Sequence, residues 1–223
     1  MTLISLGKFR SACSEELQLL KVEIGGFIFD MVFAYPPLFL SNNGLTLVRD
    51  KMKEDATIWI SGTMHNIFSV GQILIELGFK ILNIITWEKT NPPPNFSCRY
   101  FTHSTEQILW ERKSEKVPHY FNYELMKQLN NDKQMKDVWK LPAIAPWEKS
   151  CGKHPTQKPL SVLTRLILAS TKPSAWILDP FAGSSTTGIA ANLANRRFLG
   201  IDKEEEFLLI SKNRKQLYPT NKK

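Results

Sequence analysis

A turn of small residues in the C-terminal part of the chain has the composition of a nucleotide-binding loop. Residues 179–188 read DPFAGSSTTG and separate an apolar run from a helical pattern. Small side chains let the backbone approach a ligand closely, and the start of the following helix supplies free N–H groups. Asp202 ends the next apolar run, about 20 residues further on, where an acidic side chain can accept hydrogen bonds from ribose hydroxyls. The turn has neither a GKS/GKT ending nor a GxGxxG pattern, which favours a small adenosine-bearing ligand without a triphosphate. A plain turn capped by Ser or Thr is the alternative.

The elements around this turn predict a doubly wound, mostly parallel α/β sheet. Short apolar runs typical of buried strands alternate with segments of helical spacing. The predicted strands are 27–34, 56–62, 79–87, 107–110, 175–178 and 197–201, and the predicted helices are 66–77, 123–129, 159–168, 185–194 and 204–217. Only about two βα units fit after residue 179, whereas such a sheet needs five or more strands. The ligand-binding half therefore follows the other half of the sheet in the chain.

Composition restricts the class of protein. The 223 residues carry a net charge of +8 and are 43% hydrophobic, which favours a folded domain with a polyanionic partner. Three cysteines, with no CxxC pair, argue against a disulfide scaffold or zinc ribbon, and we expect no metal. No apolar run approaches the roughly 18 residues that span a bilayer, and the N-terminus does not resemble a signal peptide. We expect a cytoplasmic protein with no membrane partner.

Several segments, in this order, resemble the beta-class DNA amino-methyltransferases. They are FDMVFAYPPLFLSNNG (29–44), TIWISGTMHNIFSVG (57–71), ILNIITWEKTNPPPNFSCRYFTHSTEQILWERK (81–113), NDKQMKDVW (131–139), GKHPTQKP (152–159) and DPFAGSSTTG (179–188). The likeness is strongest to adenine-N6 enzymes of bacterial restriction–modification systems. It implies a Rossmann-like methyltransferase fold, S-adenosylmethionine as cofactor, DNA as partner and a homodimer as one assembly. It also implies a single domain, with a catalytic half (27–112), a target-recognition region (113–153) and a cofactor half (154–217).

The resemblance also assigns residues to the cofactor. Those implied to surround the methionine and ribose are Asp179, Phe181, Gly183, Ser184, Ser185, Thr186 and Asp202, and those implied to close over the methionine carboxylate are Lys153, His154, Thr156, Gln157 and Lys158. Several donors running into a helix N-terminus suit a carboxylate, although His154 alone would be interpreted as a capped, solvated histidine. Ser185 stands where the family usually has glycine, and a side chain there is strained if φ is positive.

The catalytic turn departs from the family. The adenine amine is a poor nucleophile, and the family's Asp-Pro-Pro-Tyr turn accepts hydrogen bonds from it and stacks on the flipped base. Here the turn reads Tyr35-Pro36-Pro37-Leu38, so the carboxylate and the stacking ring are missing. Tyr35 is not an anionic acceptor, since a phenol titrates near pH 10. Asp30 is too far upstream, and the short stretch from Leu45 to Asp55 replaces a longer loop common in relatives. We therefore expect little or no methyl transfer.

Candidate DNA contacts lie in two segments. Residues 91–112 interleave aromatic residues with arginines, including Arg99 and His103, which can stack on a strand and neutralise phosphates. Packing of those aromatic rings on the sheet is an equal alternative. Lys136 is a candidate phosphate contact in the recognition region, although a single lysine there is more often only solvated. The sequence thus favours a site-specific adenine-N6 DNA methyltransferase of a restriction–modification system. The alternatives are an inactive DNA-binding or subunit-partner homologue, or an enzyme of other specificity such as cytosine-N4.

Overall fold

The computed structural model describes residues 2–5, 26–36, 42–202 and 204–218. The strands of this part of the chain are β1 (Thr2–Ser5), β2 (Phe29–Ala34), β3 (Met52–Gly62), β4 (Lys80–Lys89), β5 (Thr105–Arg112), β6 (Val138–Leu141), β7 (Trp176–Asp179) and β8 (Arg197–Asp202). The helices are α1 (Asn42–Asp50), α2 (Ile67–Glu76), α3 (Tyr123–Gln128), α4 (Leu160–Ser170), α5 (Thr186–Leu193) and α6 (Glu205–Leu217), and a 3₁₀ turn spans Pro146–Lys149.

The eight strands described form one sheet in the order β1-β8-β7-β2-β3-β5-β4-β6. Every neighbouring pair is parallel except the two pairs that involve β5, which runs antiparallel to β3 and β4. The strand order changes direction between β7 and β2, which are adjacent in space and far apart in the chain. In such sheets the crevice at this switch point, beyond the carboxyl ends of the strands, is where ligands bind.

The sheet has a buried core on each face because alternate side chains of a strand point to opposite sides. On β2, Val32 and Ala34 pack with α1 and α2, whereas Met31 and Phe33 pack with α4 and α5. A stacked indole pair, Trp59 and Trp110, lies in the second core with ring centroids 4.7 Å apart. Both halves of the chain thus contribute to each core.

The expected doubly wound, mostly parallel α/β fold is confirmed, and each predicted strand and helix corresponds to one in the structure. Three elements were missed: β1, α1 and β6. The residues from Leu45 onward, treated as a shortened loop, form most of α1 and then enter β3, with Leu45 in the core. Residues 113–153 looked irregular but contribute β6 to the sheet edge beside β4. No helix in the described part of the chain has the length and apolarity to cross a bilayer.

Candidate functional site

A cavity of about 300 Å³ opens at the carboxyl ends of β2, β7 and β8. Its lining includes ten of the residues assigned to the cofactor, namely His154, Thr156, Gln157, Lys158, Asp179, Phe181, Gly183, Ser184, Thr186 and Asp202. Tyr35 and Pro36 line the same cavity. Lys153 and Ser185 are not among its lining residues. The fold therefore brings the catalytic turn and most of the cofactor segments, which are far apart in the chain, to one place.

Gly183 lines the cavity and packs directly against the His154 ring. Its φ of +49° lies in the left-handed region, and a Cβ built there would be 2.7 Å from Nε2 of His154. Its N–H donates to Oδ2 of Asp202 at 2.6 Å, and its carbonyl accepts from the Ser211 hydroxyl at 2.9 Å. Any side chain at position 183 would be strained and would also displace the histidine.

The segment between β7 and α5, residues 180–185, is called the cofactor loop. Two aspartates lie beside it: Asp179 ends β7, and Asp202 ends the neighbouring parallel strand β8. Asp179 is buried and accepts from the Thr187 hydroxyl at 2.6 Å and the Phe181 N–H at 3.0 Å. Burial raises the pKa of Asp179 to about 7. Asp202 accepts one backbone N–H on each oxygen, from Gly183 and from Glu204, and burial raises its pKa as well. Each Asp202 oxygen keeps a lone pair for a further donor at the cavity wall.

His154 closes the cavity opposite the loop. Its Nδ1 accepts the N–H of Thr156 at 3.3 Å, which assigns the ring proton to Nε2, the atom that faces Gly183. Burial lowers the pKa of His154, so the neutral ring is favoured at neutral pH. Its ring packs edge-on against Phe207, with centroids 4.2 Å apart. Gln157 is buried and donates to the Glu148 carbonyl at 2.8 Å, which fastens this segment to the 3₁₀ turn.

Arg214 is a residue of this site that the sequence interpretation missed. Its side chain is 2% exposed, and its Nη1 donates to the Ser184 carbonyl (2.7 Å), the Ser184 hydroxyl (3.0 Å) and the Thr186 hydroxyl (2.9 Å). With Ser211, it fixes the loop from α6. The available signal was the helical spacing of Leu208, Ser211 and Arg214, which puts two polar side chains on the buried face of α6.

Ser185 adopts the left-handed conformation. The sequence predicted strain at this position if φ were positive. Its φ is +57° and its ψ is +39°, and it directly precedes α5. Its hydroxyl is buried without a hydrogen-bond partner among the described residues. A non-glycine residue in this region, with an unsatisfied hydroxyl, lowers the stability of the loop.

The catalytic turn is described as far as Pro36, and Pro37 and Leu38 lie outside the described residues. Tyr35 is half-buried, and burial, followed by the charge of Glu106, raises its hydroxyl pKa. The ammonium of Lys158 lies over the Tyr35 ring, 3.4 Å from its centroid. The carboxylate of Asp30 is used elsewhere: it accepts from Lys53 at 2.6 Å and from the Trp176 N–H at 2.8 Å. It therefore fixes β2 to its neighbours and does not replace the missing acceptor.

The three candidate DNA contacts do not lie together. Arg99 and His103 are exposed in the loop between β4 and β5. This loop lies at the end of the sheet where β2 and β4 terminate, as does Tyr35. Phe96 and Phe101 in that loop are 90% and 97% exposed, so the interpretation that these two rings pack on the sheet was wrong. Lys136 is exposed before the amino end of β6, towards the other end of the sheet.

Comparisons with known proteins give consistent results. A model of the DNA methylase family, covering N6 and N4 enzymes, matches residues 38–213. The chain is 56% identical to the type II methyltransferase M2.MboI of Moraxella bovis, over 83% of this chain and 80% of that protein. It is 51% identical to the type II methyltransferase M2.DpnII of Streptococcus pneumoniae, over 83% of this chain and 81% of that protein.

Solved structures with the same fold include the M1.HpyAVI–SAM complex, with a TM-score of 0.76 and 28% identity over 94% of this chain and 98% of that one. The cytosine-N4-specific PvuII DNA methyltransferase has a TM-score of 0.73 and 18% identity, over 99% of this chain and 89% of that one. At that identity the second likeness concerns the fold alone.

Proposed function

This chain belongs to the N6/N4 DNA methylase family, and we propose that it transfers the methyl group of S-adenosylmethionine to the N6 amine of adenine in DNA. The expected resemblance to DNA amino-methyltransferases is thereby confirmed, as is S-adenosylmethionine as cofactor. Adenine as the target is supported by the 56% and 51% identity to the methyltransferases M2.MboI and M2.DpnII, whereas the likeness to the cytosine-N4 enzyme, at 18% identity, concerns the fold alone. The observation that carries the proposal is the shared cavity of the catalytic turn and the cofactor segments.

The cavity residues fit S-adenosylmethionine. Gly183 leaves room for the His154 ring beside the cavity, and the free lone pairs of Asp202 suit ribose hydroxyls. The Nε2–H of His154 and the Thr156 hydroxyl are donors for the methionine carboxylate, and the rings of Phe181 and Phe207 give apolar walls. Arg214 adds a buried positive charge behind the loop that favours a bound anion. When bound, the cofactor supplies a methyl group activated by its sulfonium.

The target amine would meet the turn after β2 on the other side of this cavity. A carboxylate there would accept hydrogen bonds from the amine and stabilise the positive charge that develops on nitrogen. Tyr35 offers a neutral phenol, because burial raises its hydroxyl pKa further above neutrality. A neutral hydroxyl is a weaker acceptor than a carboxylate. We therefore propose that cofactor binding is retained while transfer is slow.

DNA would approach this edge of the sheet across the loop between β4 and β5. Arg99 and His103 are exposed there for phosphate contacts, and the Phe96 and Phe101 rings are free to stack on bases. Lys136 lies too far from this edge for the same contact and would reach DNA only through the recognition region. Residues 113–153 are proposed as that region, within a single methyltransferase domain.

A second candidate function is favoured by Tyr35 itself: a cofactor-binding, DNA-binding homologue without catalysis. Calorimetry with S-adenosylmethionine and a transfer assay with labelled cofactor on DNA of varied sequence separate the two. Binding with slow label incorporation into adenine supports the proposal. Binding of cofactor and DNA without incorporation supports the second candidate. Absence of cofactor binding would refute both.

A further inference from the structure

A buried ionic cluster lies behind the catalytic turn. It consists of Lys158, which precedes α4, and of Glu106 on β5, Lys89 on β4 and Ser61 on β3. Glu106 is 5% exposed, and it accepts hydrogen bonds from the Lys158 ammonium and from the Ser61 hydroxyl at 2.6 Å. The Lys89 ammonium forms an ion pair with its other oxygen at 3.4 Å. The side chain of Lys158 is 10% exposed. Charges this well buried are retained only with close partners.

The charges of this cluster do not balance. Two ammonium groups, those of Lys158 and Lys89, share the single carboxylate of Glu106. The Lys158 ammonium also lies over the face of the Tyr35 ring, 3.4 Å from its centroid, and Tyr35 lines the cofactor cavity. An aromatic face compensates a cation only partly. The cluster therefore carries one positive charge in excess, and Lys158 is the member that reaches position 35.

We propose that Lys158 is a positioning residue for the side chain at position 35. Anchored by Glu106, its ammonium holds the Tyr35 ring in this chain, and it would hold and ionise a carboxylate placed there. This inference rests on the proposed function, because position 35 matters only if the turn faces a target amine. It gives Lys158 a different role from the contact with the methionine carboxylate that the sequence resemblance implied.

Fluorine NMR of the full chain labelled with fluorotyrosine tests the contact without the cofactor. The Tyr35→Phe variant assigns the resonance of residue 35. We expect Lys158→Met and Glu106→Gln to shift this resonance and Lys158→Arg to keep it near its original position. Lys89→Met is the matched control, since Lys89 pairs with Glu106 and does not stack on Tyr35. An unshifted resonance in both folded Lys158→Met and Glu106→Gln would overturn the proposal.

The effect on a carboxylate is tested with Tyr35→Asp. We expect carbon NMR to give its new carboxyl a pKa below the ordinary value of about 3.9, and Lys158→Met in that background to raise the pKa by at least about one unit. An unchanged pKa would contradict the inference.

Calorimetry distinguishes the two roles of Lys158. A positioning role predicts that Lys158→Met changes the affinity for S-adenosylmethionine and for methylthioadenosine, which lacks the amino-acid group, by less than about threefold. A loss of more than about tenfold confined to S-adenosylmethionine would assign Lys158 to the methionine carboxylate and overturn the proposal. If the parent chain binds no cofactor, the proposed function fails while the NMR result still decides the contact.

Discussion

The cofactor loop and the catalytic turn lie at the same edge of the sheet, but they differ in what their side chains do for the fold. In the loop, the residues facing the cavity also hold the backbone: Gly183 bonds to Asp202 and Ser211, and Arg214 fastens Ser184. At the turn, the Tyr35 side chain packs against the core and under Lys158, whereas β2 pairs with its neighbours through its backbone. The side chain at position 35 can therefore change without loss of the fold, whereas the loop has little such freedom.

The largest expected effect comes from restoring the turn. A positioned acid–base partner contributes about 10²–10⁴-fold in rate, so the unmodified chain should transfer methyl groups very slowly. Tyr35→Asp with Leu38→Tyr should raise transfer, and Tyr35→Asp alone should raise it less, because the flipped adenine still lacks its stacking ring. Label incorporation into DNA measures this, with Tyr35→Phe as the control that should stay slow.

Robust methylation by the unmodified chain would mean that another group accepts from the amine. If the double variant binds cofactor and DNA yet stays inert, the missing carboxylate and stacking ring alone do not explain the slow transfer.

The next largest effect is on the pH dependence of stability. It comes from Glu111, a buried carboxyl group in the catalytic half to which no role in binding is assigned. Both oxygens of Glu111 are buried without a partner among the described residues, and burial raises its pKa to about 8. Between about pH 4.5 and 8 the unfolded chain ionises this group and the folded chain does not. Its contribution to the free energy of unfolding should therefore fall by about 1.4 kcal/mol per pH unit.

Glu111→Gln should flatten the pH dependence of unfolding across this interval. Urea melts from pH 4 to pH 9 measure it, with exposed Glu124→Gln as the control. A parallel pH dependence in Glu111→Gln and the parent would show that Glu111 ionises normally in the folded chain.

The role of the loop region in cofactor binding can be tested by removing Asp202, the carboxylate proposed to bind the ribose hydroxyls. Asp202→Ala should weaken S-adenosylmethionine binding by about 1–3 kcal/mol, the typical cost of leaving buried donors unpaired. The substitution also removes the hydrogen-bond acceptor of the Gly183 N–H, so the free energy of unfolding should fall alongside the loss of affinity. Calorimetry and thermal melts of the same variant give both values. Equal cofactor binding by parent and variant would remove Asp202 from the site.

Ser185→Gly tests whether the loop carries strain. Glycine adopts the left-handed conformation at little cost, and the change removes a buried hydroxyl without a partner. The expected gain is about 1 kcal/mol in unfolding free energy, with tighter cofactor binding. Thermal melts and calorimetry measure these two gains, and Ser184→Gly is the contrasting variant, since it removes an acceptor of Arg214. No gain for Ser185→Gly would mean that the surrounding packing already accommodates the serine.

The smallest expected effect is on the salt dependence of DNA binding. Arg99→Ala or Lys136→Ala should lower affinity for all sequences, and each lost phosphate contact should reduce the log–log slope by about 0.9 on duplex DNA. Titration of labelled duplexes at several salt concentrations measures the slope, with exposed Lys212→Ala on α6 as the control. A steeper loss for Arg99→Ala than for Lys136→Ala is expected, because only Arg99 is near the catalytic edge. An affinity independent of salt concentration would show that phosphate contacts by the basic side chains do not contribute to DNA binding.

Much of the fold was predictable because local patterns and tertiary packing agree. The nearly continuous apolar runs of β2 and β3, which are buried on both faces of the sheet, and the helical spacing of α2 and α4 appear directly in the sequence. The misses have a physical cause. The edge strands β1 and β6 are each four residues long and obtain their hydrogen bonds from one neighbour, so their own sequences carry little periodicity.

The sequence by itself indicated the family and predicted the cofactor segments and the departure at position 35, because these depend on residue type and order along the chain. Only the tertiary structure decided which side chains meet. Arg214 reaches the loop 28 to 30 residues before it, and Lys158 and Glu106 are 52 residues apart. Such contacts depend on strand order and on the faces that helices present to the sheet. A local pattern can indicate that Arg214 is buried but not which residues it contacts, and these contacts fix the backbone of the loop and the side chain at position 35.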